Sequence, residues 1–191
     1  MGKLVVSEFV TVDGVMEDPG GAEGFERGGW AFQFERGAEG DKFKLDEALA
    51  ADALLLGRKT YEGFAAAWPS RTDEAGFADK MNSMPKFVVS TTLRDPEWSN
   101  STVIGADLAG EVETLKEQFE TILVYGSGQL VHALLQHKLV DELVLMVFPV
   151  LLGSGKRLFA EGLDRAGFDV VETTPMGQVV TLILRPAAEA S

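Results

Sequence analysis

Between Lys3 and Pro149 the chain repeatedly sets a short apolar run against a segment of helical periodicity. That alternation constrains the fold more than any other feature. Strands are predicted at Lys3–Val12 (KLVVSEFVTV), in ALLLG ending at Gly57, in KFVVS after Pro85, at Thr121–Tyr125 and at Glu142–Pro149, with a short one at Thr102–Ile104. Helices are predicted over Asp41–Ala51, from Lys59 or Thr60 onward, over Leu108–Gln118 and over Gly128–His137. Near-continuous apolar strands that alternate with helices pack as a mostly parallel sheet covered on both faces. The last two apolar segments, GFDVVETT and QVVTLILR, read as a hairpin turning at Pro175-Met176-Gly177, which adds an antiparallel edge. The expectation is an α/β fold in one domain over residues 1–186, with a frayed tail at 187–191.

In open sheets of this class ligands sit beyond the carboxyl ends of the strands. Three strand ends carry suitable chemistry. In LLLGRKTYE a strand stops at Gly57, and Arg58, Lys59 and Thr60 open a helix. Cations at a helix N-terminus oppose its dipole, so the placement costs energy unless an anion joins them. The alternative is a surface helix that simply begins with two exposed cations. In VYGSGQL, Tyr125 ends a strand and Gly126-Ser127-Gly128 leads into a helix through Gln129 and Leu130. There the free N–H groups would suit a diphosphate, although tight strand–helix packing explains two glycines equally well. In VVSTTL, Ser90 and Thr91 follow a strand. All three turns fall on the same predicted edge and could line one groove.

Composition removes several function classes. The 191 residues carry a net charge of −13, which opposes nucleic-acid binding, since that draws its affinity from cations on phosphates. No cysteine is present, which excludes disulfides and thiol catalysis and fits a cytoplasmic setting. The longest apolar run, Leu143–Leu152, is too short to span a bilayer, so no membrane role is expected. His132 and His137 stand five residues apart, which does not place a metal pair on one helix face, and no metal is expected.

Residues 17–40 are rich in glycine, acids and aromatics. Trp30 and Phe32 could cap a pocket for a planar heterocycle, or could fill a core or a dimer interface. Asp13 could assist protonation or orient a substrate amide; the Asp13-Gly14 pair is also simply a good turn, the role favoured here.

The order GRKT, VVST, YGSGQL resembles the dihydrofolate reductase superfamily. Within it, FVTVDGVME and LVDELVLMVFPVLLGSGKRLF resemble the reductase domain of riboflavin biosynthesis, over nearly the whole chain. The resemblance implies a homodimer, NADPH as cofactor and a small-molecule substrate. It implies that Gly57, Arg58, Thr60 and, more weakly, Lys59 meet the 2′-phosphate, and that Ser90 and Thr91 meet the adenosine side. Tyr125, Gly126, Ser127, Gly128, Gln129 and Leu130 would form the diphosphate turn, with Val15 against the nicotinamide. Asp41 stands near the place of the pteridine-binding acid of folate enzymes, with Asp46 close enough to compete; the alternative, favoured here, is an acid on an exposed helix face. Pro149 and Lys156, with Trp30 and Phe32, are the substrate-side candidates. Three readings remain open: a 5-amino-6-(5-phosphoribosylamino)uracil reductase, a dihydrofolate, pterin or other reductase of the same fold, and a non-catalytic nucleotide-binding module.

Overall fold

Leu54, Leu55 and Leu56 are all fully buried, which successive strand residues achieve only when both faces of their sheet are covered. The computed structural model describes residues 1–105 and 107–188. Among these, eight strands form one sheet: β1 (Lys3–Thr11), β2 (Ala53–Gly57), β3 (Lys86–Val89), β4 (Ser101–Ile104), β5 (Thr121–Val124), β6 (Glu142–Phe148), β7 (Phe168–Met176) and β8 (Val179–Pro186). Their order is β4-β3-β2-β5-β1-β6-β8-β7. Pairing is parallel from β4 through β6, and β8 runs antiparallel to both its neighbours.

The helices are α1 (Gly37–Ala50), α2 (Arg58–Ala67), α3 (Phe77–Ser83), α4 (Leu108–Gln118) and α5 (Gly128–Gln136). Leu4 and Val6 of β1 meet α4 and α5 on one face, through Val112, Leu115, Val131 and Leu134. Val5 with Leu54 and Leu56 meets Tyr61 of α2 and Met81 of α3 on the other. Among the described residues no helix is long and apolar enough to cross a membrane.

The mostly parallel α/β sheet with an antiparallel C-terminal hairpin is as expected, and departures from the predicted elements have local causes. α1 starts at Gly37 and not at Asp41. Gly37 and Gly40 argue against helix by propensity, but Gly40 is buried against the Arg36 side chain, where a Cβ would lie 2.7 Å from Arg36 Cβ. Helix α3 was not expected; Asp73 holds its start by accepting the N–H groups of Phe77 and Ala78. The hairpin turns at Gly177-Gln178, one step later than the expected Pro175–Gly177 turn. Pro175 stays in β7 because that strand is a sheet edge, where a missing N–H does no harm. The frayed-tail expectation for 187–191 lies outside the described residues from 189 on.

Residues 17–40 are not a bare loop. Asp18, 2% exposed, accepts the N–H groups of Glu23 and Phe25 through its carboxylate and those of Gly21 and Gly29 through its carbonyl. The chain then enters a 3₁₀ turn at Trp30–Gln33.

Candidate functional site

The parallel registers put the ends of β2, β3 and β5 side by side: Gly57 pairs with Val89, and Leu55 with Val124. Two of the three sequence-predicted turns touch. Gly57 N–H donates to the Gly126 carbonyl at 3.0 Å, and a Cβ on Gly57 would stand 2.2 Å from Ser127 Oγ. Gly126 has φ +100°, a conformation that suits only glycine, and its Cβ position would face Thr60 Oγ1 at 3.0 Å. The Gly126–Ser127 peptide is cis. Gly128 faces the Met16 sulfur, which would lie 2.9 Å from a Cβ on this glycine.

α2 and α5 both open on this edge with no side-chain cap and no acidic residue in the first turn. Each therefore presents unpaired N–H groups and a positive dipole end. Arg58 is half exposed and pairs with Glu62 one turn along at 2.9 Å, while Lys59 is exposed. Gln129 is exposed beside them and Leu130 is buried in the α5 core face. On the far side of β2, Ser90 Oγ accepts the N–H groups of Thr92 and Leu93 and so shapes its own turn. Ser90 and Thr91 line a groove of about 610 Å³ that runs along β4 past Thr102 and Ile104.

The substrate-side candidates disperse. Trp30 is fully buried, its indole N–H donating to the Glu17 carbonyl at 2.9 Å and its ring standing edge-on to Phe148 at 5.3 Å. It is core and not a cap, because the loop folds it inward onto β6. Phe32 is 83% exposed. Pro149 is exposed just past β6. Lys156 is held by Glu17 through an ion pair of 2.8 Å, which raises the lysine's pKa and lowers the glutamate's. Arg157 donates to the Asp13 carbonyl at 2.7 Å. Val15 is buried, and its N–H donates to Thr11 Oγ1.

The two carboxylates proposed for chemistry serve other ends. Asp13 accepts from Thr11 Oγ1 at 2.6 Å and from the N–H groups of Gly153 and Leu152. These bonds, that of Thr11 foremost, lower its pKa and hold it ionised, so it fastens a turn and is a poor proton donor. Asp41 lies on the solvent face of α1, its side chain 68% exposed and paired with Arg36 at 2.6 Å. His132 contacts the Leu158 carbonyl at 2.6 Å, and His137 is exposed.

A different set of polar groups is buried beside the glycine turn. α1 directs Lys44 and Glu47 at the sheet as an ion pair, each side chain 10% exposed. Lys44 Nζ donates to Ser7 Oγ of β1 at 2.8 Å and to Glu47, and lies 4.5 Å from the centre of the Tyr125 ring. Tyr125 OH donates to Glu47 Oε2 at 2.9 Å. Burial, with Glu47 beside it, raises the Tyr125 pKa well above its usual 10.0. Glu8, next to Ser7, is 8% exposed, and its Oε1 has no partner among the described residues. That oxygen lies 3.5 Å from where a Cβ on Gly126 would be. Burial raises the Glu8 carboxyl from 4.5 to about 8, with Lys44 opposing and Glu47 adding to the rise. Glu8 thus holds a proton at neutral pH while Lys44 and Glu47 neutralise each other.

Sequence reasoning passed over Glu8, Lys44 and Glu47. One signal was present: a carboxylate inside LVVSEFV, a strand otherwise fit for burial on both faces, is costly and calls for a reason.

A family model described as the RibD C-terminal domain matches residues 2–182. The chain is 26% identical over 186 residues to the uncharacterized protein YyaP of Bacillus subtilis (strain 168), covering 95% of this chain and 93% of the relative. Its fold is similar to that of a protein from Shewanella sp. PV-4 attributed to riboflavin biosynthesis, with a TM-score of 0.78 at 20% identity, over 98% of this chain and 100% of the other. It is also similar to dihydrofolate reductase from Enterococcus faecalis complexed with NADP(H) and RAB-propyl, with a TM-score of 0.58 at 15% identity over 98% of each chain. The architecture is therefore dihydrofolate reductase-like.

Proposed function

The chain belongs to the RibD C-terminal domain family, and we propose that within it this protein is an NADPH-dependent reductase of a small heterocyclic substrate, of the 5-amino-6-(5-phosphoribosylamino)uracil reductase type. The observation that carries this reading is the contact between the Gly57–Thr60 and Gly126–Gly128 turns at one sheet edge, where two uncapped helix N-termini open together. The residues fit a dinucleotide phosphate: a positive-φ glycine, a glycine that admits no side chain, two cations, and helix starts free of acidic residues.

In this reading the N–H groups of Gly128, Gln129 and Leu130 hold the diphosphate, and Arg58, Lys59 and Thr60 hold the 2′-phosphate. Arg58 exchanges Glu62 for that phosphate, a half-exposed ion pair of modest worth. Ser90 and Thr91 border the adenosine, and Val15 and Tyr125 border the nicotinamide, which when bound supplies a hydride. The chain itself orients the dinucleotide and keeps water from the Tyr125–Glu47–Lys44 cluster, which lies buried between α1 and the sheet.

A second reading concerns the substrate. Lys156 and Arg157, the cations expected to serve a phosphoribosyl group, are taken up by Glu17 and by the Asp13 carbonyl. If these contacts persist when substrate binds, the substrate is a heterocycle that lacks the phosphate; a phosphoribosyl group would instead displace Glu17 from Lys156, as the 2′-phosphate displaces Glu62 from Arg58.

Calorimetric titration with NADPH and NADH tests the cofactor assignment. Arg58→Ala is expected to weaken NADPH about ten- to a hundredfold, the worth of one charge-assisted phosphate contact, and to leave NADH nearly unchanged. Equal losses for both would refute the role of Arg58, and no binding of either would refute the reductase reading. Loss of NADPH absorbance with a phosphoribosylaminopyrimidinone, set against the dephosphorylated compound and dihydrofolate, separates the substrate classes.

A further inference from the structure

Glu8 has no part in holding the dinucleotide as proposed, yet it is a buried carboxyl with no ion-pair partner among the described residues near the site. Its carboxyl lies under the Gly126 turn with Oε1 unpartnered among the described residues, 3.5 Å from the place of a Gly126 Cβ. A buried polar atom without a partner loses free energy unless something else engages it. The charged and titratable neighbours of Glu8 act largely from the other face of the sheet, because β1 turns Ser7 towards α1 and Glu8 the opposite way with Leu4, Val6 and Val10. From α1 come Lys44, which is spent on Ser7 and Glu47, and Glu47, whose Oε2 meets Lys44 and Tyr125 while its Oε1, like that of Glu8, has no partner among the described residues. From the end of β5 comes Tyr125, bonded to Glu47, and from α2 comes the hydroxyl of Thr60 beside Gly126. No cation is bonded to Glu8 among the described residues, although the fold places one a residue away at Ser7.

We infer that Glu8 distinguishes the oxidised from the reduced nicotinamide: it keeps its proton while a neutral ring lies beside Tyr125, next to the Gly126 turn, and releases it to solvent when a positively charged ring binds there. The inference rests on the NADPH reading. The step is a simple ionisation, in which the Glu8 O–H bond breaks, the proton goes to buffer and the carboxylate remains as counter-ion to the pyridinium. In a water-poor setting such a pair interacts far more strongly than in bulk solvent. Burial has already brought the carboxyl to about 8, so a bound cation needs to move it only modestly to make it ionise near neutrality.

The experiment is isothermal calorimetry of the whole protein with NADP⁺ and with NADPH, in buffers of different ionisation enthalpy, from about pH 6 to about pH 9. Both ligands carry the same 2′-phosphate, so its titration cancels in the comparison. Near pH 7.5 NADP⁺ is expected to release about two-thirds of a proton more than NADPH. Its affinity relative to NADPH is expected to rise about ten- to a hundredfold across the range. Glu8→Gln is expected to remove both effects while still binding NADPH, and its melting temperature shows whether it is folded. Equal proton exchange for the two ligands in the wild-type protein overturns the inference whatever the variant does. Persistence of the difference in folded Glu8→Gln overturns it too, by assigning the proton elsewhere. Failure of both dinucleotides to bind overturns the cofactor reading and this inference with it, an outcome distinct from binding without proton release.

Discussion

Glu8 also leaves a mark on stability that needs no ligand to detect. Below about pH 4.5 its carboxyl is neutral in the folded and the unfolded chain alike. As pH rises further the unfolded chain sheds the proton, while the folded chain keeps it up to about 8. The folded state therefore binds more protons across that interval, and stability falls with rising pH until the folded carboxyl ionises. At 1.36 kcal/mol per unit the interval amounts to on the order of 4–5 kcal/mol, a large part of the 5–15 kcal/mol of an ordinary domain. Glu8→Gln removes the titration and keeps the shape. The variant should gain about that amount relative to wild type between pH 5 and pH 9, with the wild-type disadvantage constant above about pH 8. Asp13, Glu17 and Asp73, whose pKa values are lowered, pull stability the other way, but they are common to both proteins and cancel. Urea unfolding followed by the fluorescence of the buried Trp30 and Trp98 reads the difference. With a slope of about 2 kcal/mol per molar, the relative midpoint should move by roughly 2 M. A separation between the two proteins that does not change with pH would refute the reasoning, and would mean that water or Lys44 reaches the Glu8 carboxylate.

Trp30→Ala should cost about 3–5 kcal/mol, measured by urea unfolding, because the indole is fully buried on Phe148 and bonds the Glu17 carbonyl; a cost below about 1 kcal/mol would mean that the ring is not part of the core. Gly57→Ala places a Cβ 2.2 Å from Ser127 Oγ and 2.9 Å from the Ser127 nitrogen, so it should lower stability by about 1–3 kcal/mol. It should also displace the turn enough to weaken NADPH at least tenfold by calorimetry, and unchanged affinity would separate that contact from cofactor binding.

The strands and their terminal turns were legible because a doubly covered strand is written as an unbroken apolar run, as in ALLLG, and ends where glycine and cations interrupt it. The buried polar cluster was not legible, since Lys44 and Glu47 look like ordinary charges on a helix that is mostly polar. Their burial follows from α1 lying across β1 and β5, and strand order is not written locally. Trp30 was ambiguous for a related reason: glycines around an aromatic suit both a mobile cap and a chain that must fold sharply inward, and it is the Asp18 hydrogen bonds that choose the second. Pro175 read as a turn residue because its place at the sheet edge depends on β8 lying between it and β6.

The position of β1 bears on how the chain can be assembled in time. The first strand made is a central one, flanked by β5 and β6, whose residues follow it by more than a hundred positions. During synthesis β1 has no native neighbour until Thr121 to Val124 emerges, and its second edge stays open until Phe148. At about 5–20 residues per second this apolar strand spends several seconds with both hydrogen-bonding edges unsatisfied, the state in which strands pair with the wrong chain. Meanwhile β2, β3 and β4, neighbours both in sequence and in space, can join as a parallel unit. Ribosome-held chains that stop short of Phe148 are thus expected to recruit holding chaperones through β1, and release of those chaperones marks the closing of the sheet's centre.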